Sequence, residues 1–155
     1  MLNPIKEIYG WQLKAGNLDK PYDDFLESSF QIEEALEGLD DLGRLGDELG
    51  HNTASPKELS RIIVSMACID SDRIVLADVE RLDKACDAII YAIGSIAKLG
   101  LDHQGITKAL NIVNRANQAK LGMERDAAGK LLKPADFRGP EPELQALLDE
   151  RITND

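Results

Sequence analysis

Aromatic residues, cysteine and long apolar runs are all scarce in this chain, and each shortage excludes something. Only 5% of its 155 residues are Phe, Trp or Tyr, and β-branched runs are few, which argues against an all-β sandwich or barrel. No stretch approaches the ~18 consecutive apolar residues of a membrane span. The start, Met1-Leu2-Asn3-Pro4-Ile5-Lys6-Glu7, lacks the basic-then-apolar layout of a secretory signal. Two cysteines, Cys68 and Cys86, lie inside apolar helical patterns and read as reduced core residues, so the cytoplasm is the expected compartment. Cations are the minority: 18 basic residues stand against 28 acidic, for a formal net charge of −10. A nucleic-acid polymer needs clustered Lys and Arg, and is not an expected partner. A single nucleotide remains open, because metal ions can stand between its phosphates and an acidic protein.

What is abundant is helical: Leu, Ala, Ile, Glu, Asp and Lys. With 43% hydrophobic residues the chain can fill one core, and residues 1–155 read as a single domain. A short helix is expected over 3–15, stopped by Gly16-Asn17 and Pro21. A second runs from about Tyr22 to Leu42, with Phe25, Ser29, Ile32, Leu36 and Leu39 as its buried face. Gly43, Gly46 and Gly50, followed by residues 51–54, read as a flexible break. Ser55-Pro56 opens the next helix, ending near Cys68-Ile69. Ser71 or Asp72 then caps a long helix reaching Leu99, with an apolar stripe through Val79, Leu82, Cys86, Ile89, Ile90, Ile93 and Ala97. Another helix covers about His103 to Leu121. An irregular stretch and a short helix over 143–152 follow. The expected fold is all-α, a bundle of about five helices with a loop-rich C-terminal tail.

Two acidic clusters stand out. Glu33-Glu34-Ala35-Leu36-Glu37 puts Glu37 beside both Glu33 and Glu34 on one helix face, where like charges repel by a few tenths of a kcal/mol. Glu80, Asp83 and Asp87 fall within an arc of roughly 60° on the long helix, bordering its apolar stripe. Packed face to face, two such helices would gather five or six carboxylates, an oxygen-rich set suited to Mg²⁺ or Mn²⁺. Taken singly, each acidic cluster reads more readily as a solvated helix face. A third segment tips the balance. Asn114, Asn117 and Lys120 recur every three residues with Arg115 beside them, and Lys130 and Lys133 follow on a loop. Amides and cations opposite a carboxylate pocket are what a triphosphate requires.

In this order the motifs resemble the all-α NTP pyrophosphohydrolase superfamily, which includes MazG-like proteins, dimeric dUTPases and phosphoribosyl-ATP pyrophosphohydrolase. Its signature pairs Glu-Glu-x-x-Glu, here Glu33-Glu34-x-x-Glu37, with Glu-x-x-Asp on a later helix, here Glu80-x-x-Asp83. Asp83-x-x-x-Asp87 through Tyr91 looks like the family's Asp-x-x-x-Asp helix. Asn114-Arg115-Ala116-Asn117-Gln118-Ala119-Lys120 is similar to its (His/Asn)-Arg-Ser-Asn-Met-x-Lys segment, and Gly129-Lys130-x-x-Lys133-Pro134 to its closing loop. The likeness covers roughly residues 5–140.

The resemblance implies hydrolysis of a nucleoside triphosphate, most readily a deoxynucleotide, to monophosphate and pyrophosphate. It assigns two or three Mg²⁺ ions per site, with Mn²⁺ as a substitute, to Glu34, Glu37, Glu80 and Asp83. Glu33 and Glu37 become the catalytic pair, Glu33 orienting or deprotonating the water. Asn114, Arg115, Asn117, Lys120 and Lys133 would hold phosphates or sugar. Asp87 is a further ligand or supports one. Trp11, Gln12, Lys14 and Asn17 lie where relatives read the base. Relatives form homodimers or homotetramers. The stretch between Glu37 and Glu80 is longer than the family usually shows, because a helix around 57–69 intervenes, so Asp72 or Asp78 enters as an alternative ligand. Rival readings are phosphoribosyl-ATP hydrolysis, a non-catalytic helical interaction module, and a di-iron bundle. The last needs Glu-x-x-His on two helices, and only Glu48-x-x-His51 fits.

Overall fold

The computed structural model describes residues 3–68, 77–126 and 130–152. Among them the structure is all-helical, with no strand beyond an isolated antiparallel bridge between Arg125 and Leu131. None of its described helices is long and apolar enough to cross a membrane. The helices are α1 (Pro4–Lys14), α2 (Asp24–Leu36), α3 (Leu42–Glu48), α4 (Pro56–Cys68), α5 (Asp78–Lys98), α6 (His103–Gln118) and α7 (Glu141–Ile152), with a 3₁₀ turn at Asn17–Asp19. The chain divides into two compact units, one of Met1–Lys20 with Asp83–Asp155 and the other of Pro21–Leu82.

In the Pro21–Leu82 unit, α2 packs on α4. Asp23 caps α2, its carboxylate accepting from the N–H groups of Phe25 and Leu26 at 3.0 and 3.1 Å. Ser29, Glu33 and Leu36 are the buried residues of α2, while Leu59, Ser60 and Val64 of α4 are buried, Leu59 and Ser60 completely. Both serine hydroxyls are satisfied within their own helices, Ser29 Oγ donating to the Phe25 carbonyl at 2.7 Å and Ser60 Oγ to the Lys57 carbonyl at 3.0 Å. The expected buried face is thus realised at Ser29 and Leu36, half-realised at Ile32, and not at Phe25 or Leu39, which are exposed.

α2 ends six residues before the expected Leu42, and a separate helix, α3, occupies part of the supposed flexible break. The reason is a cap: Asp41 accepts from the Arg44 N–H at 3.2 Å and starts a new helix. Glycine serves here as a spacer between backbones. A Cβ on Gly46 would lie 2.0 Å from the Thr53 carbonyl oxygen, and the Gly46 carbonyl accepts from the His51 N–H at 2.9 Å. α4 begins at Pro56 as Ser55-Pro56 suggests, with the Ser55 hydroxyl accepting from the Glu58 N–H at 3.3 Å.

α5 opens at Asp78, and Ser71 and Asp72, the expected caps, lie outside the described residues. Its start is fixed by the side chain of Arg81, which reaches Asp24 at 2.6 Å and Asp78 at 3.0 Å and lies 4.9 Å from the centre of the Tyr22 ring. None of the residues of α5 is buried. The apolar stripe is exposed along its length, from Val79 at 71% through Ile93 at 42% to Ala97. Cys86 is exposed too, which corrects its reading as a core residue; the side chain of Cys68 lies outside the described residues.

In the other unit α1 and α7 each pack on α6. Asn3 caps α1, accepting from Ile5 and Lys6, and Gly16, at φ 65°, turns the chain into the 3₁₀ segment. Asp102 caps α6, which buries Gly105, Ala109 and Asn114. α7 buries Leu147 and is tied to α6 by exposed ion pairs, Arg115–Glu143 at 2.6 Å and Lys108–Glu150 at 3.8 Å.

Leu59→Ala should lower stability by about 2–5 kcal/mol by opening a cavity at the centre of the α2–α4 contact. Gly46→Ala should cost about 1–3 kcal/mol, since the clash is with backbone. Chemical denaturation monitored by circular dichroism measures both; a Gly46→Ala variant as stable as the parent would refute the close approach.

Candidate functional site

The amide and cation residues of α6 come together as their spacing suggests, and they meet α1. Asn114 is 4% exposed, Asn117 and Lys120 are half-buried, and Lys120 Nζ donates to Asn117 Oδ1 at 2.8 Å. The Trp11 indole Nε1 donates to the Asn117 carbonyl at 2.9 Å, which also accepts from the Lys120 N–H at 3.0 Å at the end of α6. One turn on, Asn17 Nδ2 donates to Gln12 Oε1 at 2.5 Å, and Arg125 reaches both the Ala15 carbonyl and Asn17 Oδ1. Lys14 is exposed on the last turn of α1.

A cavity of about 360 Å³ lies within this unit. Trp11 and Gln12 of α1 and Asn114 and Asn117 of α6 line it, so four residues singled out in the sequence share one space. Its remaining walls are aliphatic, and they include Leu144, Leu147 and Leu148 of α7.

The segment after α6 turns at Gly122, at φ 85°, and folds back on itself: Leu132 N donates to the Glu124 carbonyl at 2.8 Å and Asp126 N to the Lys130 carbonyl at 2.9 Å. Gly129, part of the loop motif, lies outside the described residues. The fold-back is followed by Phe137, whose ring centre lies 5.3 Å from Lys120 Nζ and 5.5 Å from Lys133 Nζ. Two of the expected phosphate-binding cations therefore share one aromatic ring. The third, Arg115, points to Glu143.

The acidic residues are distributed differently. Glu33 is 7% exposed on the packed face of α2, whereas Glu34 and Glu37 are exposed. Burial raises the Glu27 carboxyl above the usual carboxylate range, with Asp23 adding to the shift. Glu80 reaches back to its own helix start, its carboxylate accepting from the Ala77 N–H at 2.8 Å, and Asp78 is held by Arg81. Asp83 and Asp87 are exposed, and Asp72 lies outside the described residues. The carboxylates suit a hard divalent cation by chemistry. By geometry, no three His, Cys, Asp or Glu side chains gather among the described residues of one chain. The helix packed on α2 is α4, the intervening helix of the sequence reading.

Sequence reasoning missed Phe137, Glu143 and the α7 leucines. Leu144, Leu147 and Leu148 stand at i, i+3 and i+4, a helix-face signal, in the short helix expected over 143–152 but placed beyond the bundle. Comparison with models of known protein families, with curated proteins and with solved structures finds no match for this chain.

The cap of α6 titrates. The Gly105 N–H, donating at 2.8 Å, holds the Asp102 carboxyl below its ordinary value. The unfolded chain then binds more protons over the interval between the two values. Stability from the cap is present at neutral pH and is lost as pH falls through the folded value. Asp102→Asn keeps a capping oxygen but removes the titration, so its melting temperature should fall less steeply than the parent's from about pH 7 to about pH 3. Thermal scans across that range check this, and parallel curves would contradict it.

Proposed function

We propose that this protein is a Mg²⁺-dependent nucleoside triphosphate pyrophosphohydrolase of the MazG-like kind, acting in the cytoplasm as a homodimer or homotetramer. One observation carries the reading: Trp11, Gln12, Asn114 and Asn117 converge on a single cavity, next to Lys120 and Lys133 at the Phe137 ring. In a chain of net charge −10, cations beside a partly amide-lined pocket are a local exception, and they suit a ligand with an apolar end and an anionic tail.

In this reading Lys120 and Lys133 neutralise the phosphate chain and Asn117 positions the sugar between tail and base. Arg115 joins them on release from Glu143. Glu33, Glu34, Glu37, Glu80 and Asp83 are the acids assigned to metal and water. When bound, Mg²⁺ would polarise the phosphates and lower the pKa of a coordinated water. The products are a nucleoside monophosphate and pyrophosphate. Because the described residues of one chain gather no three acidic ligands, oligomerisation belongs to the proposal. The exposed apolar stripe of α5, on which Asp83 and Asp87 also lie, supplies a surface for a second copy. The competing reading, a non-catalytic helical module, draws on the capping role of Glu80, which gives that carboxylate a purely structural task.

A panel of NTPs, dNTPs and phosphoribosyl-ATP assayed for pyrophosphate release with Mg²⁺ or Mn²⁺ decides among these. Release is expected from at least one deoxynucleotide, and Glu37→Gln and Asp83→Asn should each reduce it by more than about 100-fold. Turnover near the parent level in both variants would falsify the carboxylate assignment. Light scattering should give two or four times the chain mass, and Ile90→Asp should shift it toward one; a monomeric parent protein would remove the oligomer from the proposal.

A further inference from the structure

Asn114 is the most informative polar residue in the molecule. It is 96% enclosed, lines the cavity, and takes part in none of the side-chain hydrogen bonds of the described residues. Among the described residues no fully enclosed side-chain nitrogen or oxygen lacks a partner, so the amide atoms of Asn114 stay open to the cavity and to whatever donor and acceptor enter it. Around it the walls are aliphatic, with the Trp11 indole and the Gln12 amide at the α1 side. A ligand matching this space has a broad uncharged face and one edge carrying a donor and an acceptor. At about 360 Å³ the cavity stands at the small end of ligand pockets, which run ~300–1,000 Å³. It has room for a nucleobase and part of a sugar, while the phosphates belong outside, where Asn117 bridges the cavity to Lys120.

We infer that the cavity is a nucleoside pocket whose selectivity is exerted by α7, with Leu144, Leu147 and Leu148 forming the wall against which the base packs and Asn114 reading its edge. This deepens the nucleotide reading above and rests on it. The α7 wall is held in place by Leu147, which is buried, with the exposed Lys108–Glu150 ion pair beside it. An amide side chain offers a donor and an acceptor side by side and can present them in either order, so Asn114 by itself fits several bases. Discrimination by size therefore falls to the leucines.

Trp11 is the only tryptophan of the chain and lines the pocket, so its fluorescence reports occupancy directly. The full chain is titrated with 2′-deoxynucleosides, without phosphate and without Mg²⁺. A saturable change in Trp11 emission is expected for at least one of them. Leu148→Phe, which fills the pocket, and Asn114→Leu, which removes the amide at similar volume, should each weaken binding at least about tenfold. Asn114→Leu should keep the parent's helical circular dichroism, so that its weaker binding reads the amide and not the fold. Leu144→Ala should change the ratio of purine to pyrimidine nucleoside affinity. No emission change with millimolar nucleoside, or equal binding in the parent, Leu148→Phe and Asn114→Leu, overturns the inference and marks the cavity as packing space for a second copy. If nucleosides bind but no pyrophosphate is released, the pocket stands and the hydrolase reading falls. If pyrophosphate is released and the pocket variants bind nucleoside unchanged, the hydrolase reading stands and the pocket falls.

Discussion

A single hydrogen bond, from the Trp11 indole to the Asn117 carbonyl, ties the first helix to the end of α6 across most of the chain's length. The Asn117 carbonyl already accepts from the Lys120 N–H at 3.0 Å, and its second lone pair takes the indole. A half-buried indole needs an acceptor for its N–H, and it finds one here while offering its large flat body to the cavity wall. Gln12 and Asn114 line the cavity that this contact borders, and Lys120 donates to the side chain of the same Asn117. The indole bond converts a sequence separation of more than a hundred residues into one surface.

The parts of the fold that were legible in the sequence are those governed by local chemistry. Ser55-Pro56 announces α4 because a hydroxyl cap and a proline at the first helical position act within one turn. Asn114, Asn117 and Lys120 share a face because helical periodicity places them there. Asp41 was within reach by the same reasoning, but three glycines nearby outweighed it, although Gly46 serves close packing rather than flexibility. What was not legible depends on partners distant in sequence. Phe137 has no pattern that links it to Lys120 and Lys133, and the spacing of the α7 leucines marks a helix face without saying that it lines a cavity.

The acidic residues show the same boundary from the other side. Spacing correctly ranks Glu33, Glu34 and Glu37 as neighbours, yet it does not say which of them is enclosed. Glu33 is, because it lies between Ser29 and Leu36 on the face that meets α4. Glu80 illustrates how a carboxylate can serve its own backbone: three residues after Ala77 it accepts from the Ala77 N–H, a use that any acid at the third helical position can adopt. α5 is the opposite case. Its stripe is unmistakable in the sequence, and periodicity alone does not say what covers it.

Lys120 and Lys133 converge on the Phe137 ring although each carries a positive charge. The ring's negative face attracts both, but two ammonium groups so near one another also repel, and the balance depends on how well mobile ions soften that repulsion. The loop bearing Lys133 is thereby made sensitive to the surrounding electrolyte. At low ionic strength the repulsion is felt in full and this corner carries a concentrated positive charge. Added salt softens it, leaving the attraction of each ammonium for the ring.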